Sequence, residues 1–302
     1  MKGGRLAGTC RAGGVAALLA PGGFASAHDG ASSAIRPDTL LAWEPWLTLP
    51  LAIAIVLYAV GLGRLWRRAG GGAGVRGWRA ACFAAAALAL ILNFVSPLHG
   101  LAGRFFVAHM GEHELLMAIA APLFALSRPL GAMLWALPQA ARQAIGSASG
   151  AVLPLWRWLM RPAVATLAHG LAIWVWHLPR LFDAALDSTA LHALQHLCFL
   201  ASALVFWSAL LNDRTGRGHG AAVVYLFLTA AHTSLLGAML VFSRRLWYAP
   251  SPGGLAPMDD QQLAGLVMWV PGGLVYAVAA LALCGLWIGG RRAGWRPRDA
   301  AA

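Results

Sequence analysis

The stretch QLAGLVMWVPGGLVYAVAALALCGLWIG, residues 262–289, decides the fold class of this chain. It contains no charged side chain, and a helix needs only about 20 apolar residues to cross the ~30 Å hydrocarbon core of a bilayer. Six further apolar runs precede it, at residues 46–63, 80–97, 105–127, 162–178, 191–211 and 220–242. None of the seven runs contains a Lys, Arg or Asp. The sequence therefore predicts an all-α, polytopic transmembrane helix bundle with seven spans.

The composition agrees with a membrane protein. Hydrophobic residues make up 59% of the 302 residues and charged residues 11%, against about 25% charged in a typical soluble domain. The net charge of +12 comes without any basic stretch interleaved with aromatic residues, so no nucleic-acid partner is predicted. We attribute most of this charge to arginines that face anionic lipid headgroups.

The N-terminal segment has the pattern of a secretory signal peptide. Lys2 and Arg5 precede a short apolar stretch at residues 14–20, and Ala25-Ser26-Ala27 matches the small-x-small cleavage pattern. We predict a signal peptide at 1–27, a membrane domain at 28–290 and a basic cytoplasmic tail at 291–302. An uncleaved anchor is the alternative for the first segment.

The arginine distribution predicts the orientation. With an extracytoplasmic N-terminus, seven spans place the C-terminus in the cytoplasm, and the predicted inner segments then hold fifteen arginines against five in the outer ones. Positive charge accumulates on the cytoplasmic side of membrane proteins. The bias therefore supports the topology that the signal peptide implies. Among the loops, a surface helix is predicted around 134–145, and 243–261 is expected to consist of turns.

Histidines concentrate at one predicted membrane level, the extracytoplasmic one. Two pairs have i, i+4 spacing near the outer ends of the third and fifth runs: His109 with His113, and His192 with His196. His99 and His177 end neighbouring runs at the same level. Residues four apart share one face of a helix, so each pair could share an ion.

The residue types favour copper as that ion. Imidazole suits copper, zinc, iron and nickel, and thioether ligands favour Cu(I). Met117 and Met239 lie near the pairs and are candidate soft ligands, whereas the chain contains no CxxC pair that would indicate a thiolate site. Polar groups inside a membrane are costly and usually functional. The alternative for each histidine is a hydrogen bond to a neighbouring helix or to lipid headgroups.

Four acidic residues flank the candidate ligands. Glu112 and Glu114 could orient an imidazole or belong to a solvated helix end. Asp259 and Asp260 precede the last run and could be loop charges.

Four stretches carry a family resemblance. They are HMGEHELLMAIAAPLFALSRPL (109–130), WVWHLPRLFDAALDSTALHALQHLCFLASALVFWSALL (174–211), LGAMLVFSRRLWYAP (236–250) and DQQLAGLVMWVPGG (260–273). In this order and spacing they resemble the CtaG family of bacterial cytochrome c oxidase assembly factors, the polytopic family rather than the single-span copper chaperone that shares its name. The resemblance covers about residues 45–290. It departs at Ser127-Arg128-Pro129, where a Gly is frequent in the family.

The resemblance implies a role in making haem–copper oxidases, at the step of copper delivery, in the bacterial inner (plasma) membrane. It implies oxidase subunits or copper chaperones as partners, and no enzymatic turnover. His109, His113, His192 and His196 match the family's histidine pairs, and its last motif matches Asp260, Met268 and Trp269.

Three other functions remain open from the sequence. A copper transporter would show ligands continuing inward, and only His169 and His232 lie deeper. An electron-transfer protein would bind haem between histidines of facing helices. An enzyme is the least supported, since the sequence shows no nucleophile–base pattern, phosphate loop or carboxylate pair.

Overall fold

A computed structural model describes residues 45–72, 74–212 and 218–294, and these residues form helices and no strand. The helices up to the middle of the chain are α1 (Pro45–Ala69), α2 (Gly77–Val95), α3 (Pro97–Ala102), α4 (Phe106–Glu114), α5 (Ala121–Ser127), α6 (Pro129–Ala136) and α7 (Gln139–Leu159). Those that follow are α8 (Pro162–Trp176), α9 (Pro179–Asp187), α10 (Thr189–Leu211), α11 (His219–Phe242), α12 (Pro257–Val267) and α13 (Gly273–Gly294). Two π-helical turns, π1 (Leu115–Ala120) and π2 (Met268–Gly272), join α4 to α5 and α12 to α13. The predicted all-α class is confirmed.

The described residues contain five or six candidates for the seven membrane spans that the sequence predicts. Five described segments are long and apolar enough to cross a bilayer: Thr48–Ala69, Gly77–Val95, Thr189–Leu211, His219–Phe242 and Pro257–Gly289. A sixth results if Phe106–Ser127 and Pro129–Ala136, which are bent by 63°, are one span. The remaining run corresponds to α8, whose 15 residues fall short of the ~20 that a straight span requires. The seventh span stays a prediction.

Several predicted segments can be compared with the helices. The signal peptide at 1–27 and the end of the basic tail, from residue 295, lie outside the described residues. The range 134–145, where a surface helix is predicted, contains the end of α6 and the beginning of α7. Helix α7 begins at Gln139 and continues to Leu159 without a buried residue. The loop expected at 243–261 ends early, because α12 begins at Pro257.

The third predicted run bends where its backbone enters the left-handed region. Arg128 has φ 49°, a conformation that few residues other than Gly adopt. Its Nε donates a hydrogen bond to Asn212 Oδ1 at 2.5 Å, and Pro129 starts α6 immediately afterwards.

The bundle has the surface of a membrane protein. Large apolar side chains on the long helices point outward, among them Phe242 and Leu281, each 72% exposed. The interior is filled by aromatic and aliphatic residues such as Phe199, Phe206 and Trp207, each at most 1% exposed. Apolar outer faces on several helices of membrane-spanning length indicate a multi-pass membrane protein.

Close helix packing positions the short helix α4. Helix α12 packs against both α4 and α11, while α10 packs against α8, α5 and π1. At the α11–α12 crossing, a Cβ on Gly237 would lie 2.7 Å from the carbonyl oxygen of Gly265. Glycines at such crossings let membrane helices approach closely. Helix α12 is thereby held against the core, where it can support α4.

Candidate metal centre

Helix α4 carries the first histidine pair on its buried face. His109 and His113 are one turn apart, with ring centres 4.5 Å from each other, and they are 2% and 1% exposed. The i, i+4 spacing puts both rings on the same side of the helix, as the sequence predicts.

The second pair, on α10, faces the first. His192 and His196 have ring centres 4.3 Å apart. The ring of His192 lies 5.2 Å from that of His109, and the ring of His196 lies 5.3 Å from that of His113. The diagonal between His109 and His196 measures 6.2 Å. The structure thus brings all four predicted residues into one cluster, with neither pair directed toward lipid.

These separations match those of imidazoles around a metal ion. A metal–nitrogen bond of ~2.0–2.1 Å places the ring centres of two tetrahedral histidine ligands roughly 5 Å apart. The buried nitrogens also lack other partners: Nε2 of His109 and both ring nitrogens of His113 and His196 have no hydrogen bond within the described part of the chain. Buried polar atoms are normally paired, so these unpaired nitrogens are candidate metal ligands.

Two more histidines and a carboxylate adjoin the four. His99 Nδ1 lies 2.9 Å from Glu112 Oε1, and its ring lies 6.1 Å from that of His192. Donor atoms of His109, Glu112 and His192 all lie within 4.8 Å of one another. Glu112 is fully buried, so it is a member of the cluster rather than part of a solvated helix end. In the sequence, only the position of Glu112 beside the first pair indicates that it belongs to the site.

His177 joins the cluster from α8. Its Nδ1 donates to the carbonyl oxygen of Ile173 at 2.7 Å, which leaves Nε2 as the nitrogen with the lone pair. That Nε2 is buried and has no hydrogen bond among the described residues. The ring of His177 lies 6.1 Å from that of His113.

Glu114 faces away from the histidines. A Cβ on Gly272, in π2, would lie 2.5 Å from Glu114 Oε2. The carboxyl of Glu114 therefore packs on the backbone of π2, and the absence of a side chain at Gly272 makes room for it. The same two alternatives apply to Glu112 and Glu114 at the level of sequence, but in the structure the two side chains have different surroundings.

The π1 turn follows the first pair directly. A π turn leaves backbone groups out of the regular α-helical pattern, and such turns are frequent at functional sites. Here the indole Nε1 of Trp207 donates to the carbonyl oxygen of Met117 at 2.9 Å. Trp207, on α10, thus ties π1 to the helix that carries the second pair.

The N-terminus of α4 is capped from a distant part of the sequence. The carboxylate of Asp260 accepts hydrogen bonds from the backbone N–H groups of Phe106, at 2.8 Å, and Val107, at 2.9 Å. Asp260 is 3% exposed and lies in the first turn of α12, so it is not a loop charge. A carboxylate at a helix N-terminus satisfies free N–H groups and complements the helix dipole.

The loop between α11 and α12 covers the cluster. Gln261 accepts from Trp247 N at 2.7 Å and donates to Arg245 O at 3.1 Å. The hydroxyl of Tyr248 donates to the carbonyl oxygen of His177 at 2.9 Å. Burial, together with the charge of Asp183, raises the pKa of Tyr248, so the hydroxyl remains a donor.

Three aromatic side chains, one of them from this loop, lie over the histidines. The ring of Phe182, on α9, lies 4.3 Å from that of Tyr248 and 5.2 Å from that of His109. Phe106 lies 5.3 Å from Phe182 and 5.0 Å from Tyr248. Phe106, Phe182 and Tyr248, which we call the aromatic roof, restrict access to the cluster from this end.

The candidate sulfur ligands are placed differently from each other. Met117 is 3% exposed and lies in π1, one turn beyond His113, whereas Met239 is 39% exposed on α11. Met268 is buried at the start of π2, and Trp269 packs at 5.8 Å against Phe242. Met268 and Trp269 therefore lie in helix packing, whereas Met117 is a buried thioether close to the pairs.

The deeper histidines have partners of their own. His169 Nδ1 lies 3.0 Å from Ser202 Oγ, and His232 Nδ1 accepts from Trp174 Nε1 at 3.3 Å. His219 starts α11, at the end of that helix opposite to the loop that covers the cluster.

Comparison with known proteins gives one match. A family model described as "Cytochrome c oxidase caa3 assembly factor (Caa3_CtaG)" matches residues 56–289. The match includes both histidine pairs, π1, π2 and Asp260. Neither the curated proteins nor the solved structures that were searched gave a match.

Proposed function

The chain belongs to the caa3 CtaG family of cytochrome c oxidase assembly factors, and we propose that it performs this role by holding copper in its buried histidine cluster for transfer to a haem–copper oxidase. Copper is cargo in this proposal, and the oxidase subunit or a copper chaperone is the exchange partner. The role is assembly and not turnover.

One observation carries the proposal. His113 and His196 are each almost fully buried, and neither has a hydrogen bond on either ring nitrogen among the described residues. A histidine retained only for packing or helix–helix bonding would have at least one nitrogen paired, because an unpaired buried polar group costs about 1–3 kcal/mol. Metal coordination accounts for that cost, and imidazole suits copper.

The surroundings of the cluster favour copper over haem. A haem between α4 and α10 would need a flat slot beside the ligating rings. Phe199 instead lies 4.7 Å from His113, and Phe182 lies 5.2 Å from His109. Both phenylalanines would have to leave before a porphyrin could enter.

The surroundings of His232 weigh against a transport path through the deeper histidines. Because Trp174 donates to its Nδ1, neutral His232 carries its proton on Nε2 and presents a donor there. It could bind a metal through Nε2 only by giving up the bond from Trp174. With the side chains in these positions, the deeper histidines do not form a continuous path of metal ligands.

The proposal is tested by complementation. A strain that lacks this chain should make oxidase subunits but show low oxidase activity under copper limitation, and the wild-type gene should restore it. A His113→Ala/His196→Ala gene should fail to restore activity, whereas His219→Ala, at the other end of the bundle, should succeed. Normal oxidase activity in the deletion strain would refute the assembly role. Full complementation by the double variant would refute the role of the cluster.

The copper step is tested separately on purified protein. Copper without a haem absorption band is expected in the wild-type protein loaded with Cu(I). A haem spectrum that is present in the wild type and absent from the double variant would show that the cluster binds haem instead of copper.

A further inference from the structure

We infer that the cluster holds two metal ions, a shallow one bound by His109, Glu112 and His192 and a deep one bound by His113, His177 and His196. Shallow and deep refer to the distance from the first residues of α4 and α10. This inference rests on the proposed metal-binding function. It adds to that proposal the number of ions that bind and the residues that bind each of them.

The number of donors exceeds what one ion can use. Six imidazoles and the Glu112 carboxylate are linked by pairwise contacts into one cluster, whereas a structural zinc site uses four ligands. A single ion among the four paired histidines would leave the buried Nε2 of His177 with no hydrogen bond among the described residues. A second ion bound by this nitrogen accounts for it.

The shallow position is defined by the closeness of its donors. One donor atom from each of His109, Glu112 and His192 lies within 4.8 Å of the other two. His99 Nδ1 holds the carboxylate of Glu112 from the outer side at 2.9 Å, which is the way that a neighbouring polar group orients a ligand. Two imidazoles with a carboxylate suit a divalent ion such as Cu(II) or Zn(II).

The deep position offers nitrogens alone. The ring of His113 lies 5.3 Å from that of His196 and 6.1 Å from that of His177. All three residues are at most 2% exposed. The lone pair of His177 is directed by its Nδ1 bond to Ile173. Three neutral imidazoles in an apolar pocket closed by Phe199 suit Cu(I), because this ion accepts three ligands and carries a lower charge than Cu(II).

Each i, i+4 pair contributes one ring to each position. His109 and His192 serve the shallow ion, and the residues one turn later, His113 and His196, serve the deep one. The two positions are therefore about one helical turn, ~5.4 Å, apart along both helices. The negative charge of Glu112 offsets the repulsion between two cations at this distance. An ion could pass between the positions by exchanging rings within a pair.

The test is copper stoichiometry on the purified full-length chain in detergent, with Cu(I) under a reductant and Cu(II) alone as probes. We expect two copper ions per wild-type chain at saturation. Glu112→Gln should remove the shallow ion and keep the deep one, and His177→Ala should do the reverse. Glu114→Gln is the matched control, because this neighbouring carboxyl packs on π2 instead of the cluster. Gel-filtration profiles and Tm values establish that each variant is folded, and His177→Gln replaces His177→Ala if the latter is not.

The outcomes separate this inference from the function on which it rests. Two ions in the wild type and one in each cluster variant support it. One ion in the wild type, unchanged by Glu112→Gln, overturns the second position and leaves copper binding intact. Two ions that persist in both cluster variants overturn the ligand assignment. No copper in any form of the protein overturns the proposed metal binding itself.

Discussion

Asp260 accepts a hydrogen bond from the backbone N–H of Phe106 across 154 residues of sequence, at 2.8 Å. The bond attaches the first turn of α12 to the first turn of the helix that carries His109 and His113. The last motif of the sequence thus acts by positioning the first histidine pair. The same helix α12 continues into π2, where Gly272 accommodates Glu114, so two contacts fix α4 from one side.

Replacing Asp260 should destabilise the protein and weaken metal binding together. Asp260→Ala removes two hydrogen bonds to a charged acceptor, each contributing about 1.5–3 kcal/mol, and leaves a buried N–H group on Phe106 and a half-buried one on Val107 unpaired. Asp260→Asn should lose less, because its amide oxygen can still accept. The measurements are Tm in detergent and copper affinity. Asp259→Ala is the control, since Asp259 is exposed in the same helical turn; an equal loss there would show that Asp260 has no special role.

Removing the cluster histidines should remove copper selectively. His113→Ala and His196→Ala should each lower the affinity for Cu(I) by more than the ~10–100-fold typical of losing a group that only orients a ligand. Competition with a Cu(I) chelator measures the affinity. The control is His219→Ala, which should bind as the wild type does. Unchanged affinity in both cluster variants would contradict copper binding by the histidine cluster.

Tyr248→Phe should reduce the loss of stability at high pH. The folded protein raises the pKa of Tyr248 above its unfolded value near ~10, so its stabilising contribution is full below that pH and falls as the pH rises through it toward the folded pKa. The variant lacks this titration. It should also be less stable by about 0.5–1.5 kcal/mol at neutral pH, because the bond to His177 O is lost.

The measurement is Tm against pH from 8 to 11 for both proteins. The difference between wild type and variant isolates Tyr248 from the other tyrosines. The expected difference narrows as the pH rises. A difference that stays constant over the whole range would show that Tyr248 does not titrate in it.

A side chain at Gly272 should force the Glu114 carboxyl out of its position. The Cβ of Gly272→Ala would meet the Glu114 carboxyl at 2.5 Å, and overpacking of this kind typically costs about 1–3 kcal/mol. Gly285→Ala is matched to it, since a Cβ there meets nothing within 4 Å and a helical Gly→Ala change is neutral or stabilising by up to ~1 kcal/mol. Tm values of the two variants test this. Equal values would mean that Glu114 moves aside without cost.

Reporter fusions should establish the orientation. The arginine bias predicts that a reporter fused after Arg292 is active only on the cytoplasmic side, and that one fused after Pro252, in the loop that covers the cluster, is active only outside. An alkaline phosphatase and a fluorescent protein are suitable as the pair of reporters. Periplasmic activity after Arg292 would reverse the predicted side of the histidine cluster.

The sequence by itself determined the helical membrane class, the two histidine pairs and the family. These features are local: an apolar run long enough for a bilayer and an i, i+4 spacing are set by helix geometry, whatever the rest of the chain does. The motif likeness, too, depends on residue order alone. The sequence determined the number of spans less well, because α8 is short and the segment through Arg128 bends. The length of α8 and the bend at Arg128 both depend on contacts with neighbouring helices.

Only the tertiary structure decided which of these residues meet. The two pairs face each other because α4 is held between α10 and α12, through Trp207, Asp260 and Gly272. The burial of Glu112 beside His99, and the outward position of Met239, also follow from packing. Such contacts join residues far apart in sequence, and the energy that selects them is shared by the whole bundle. Helical periodicity shows the face on which a side chain lies, but only the packing of helices determines what that face touches.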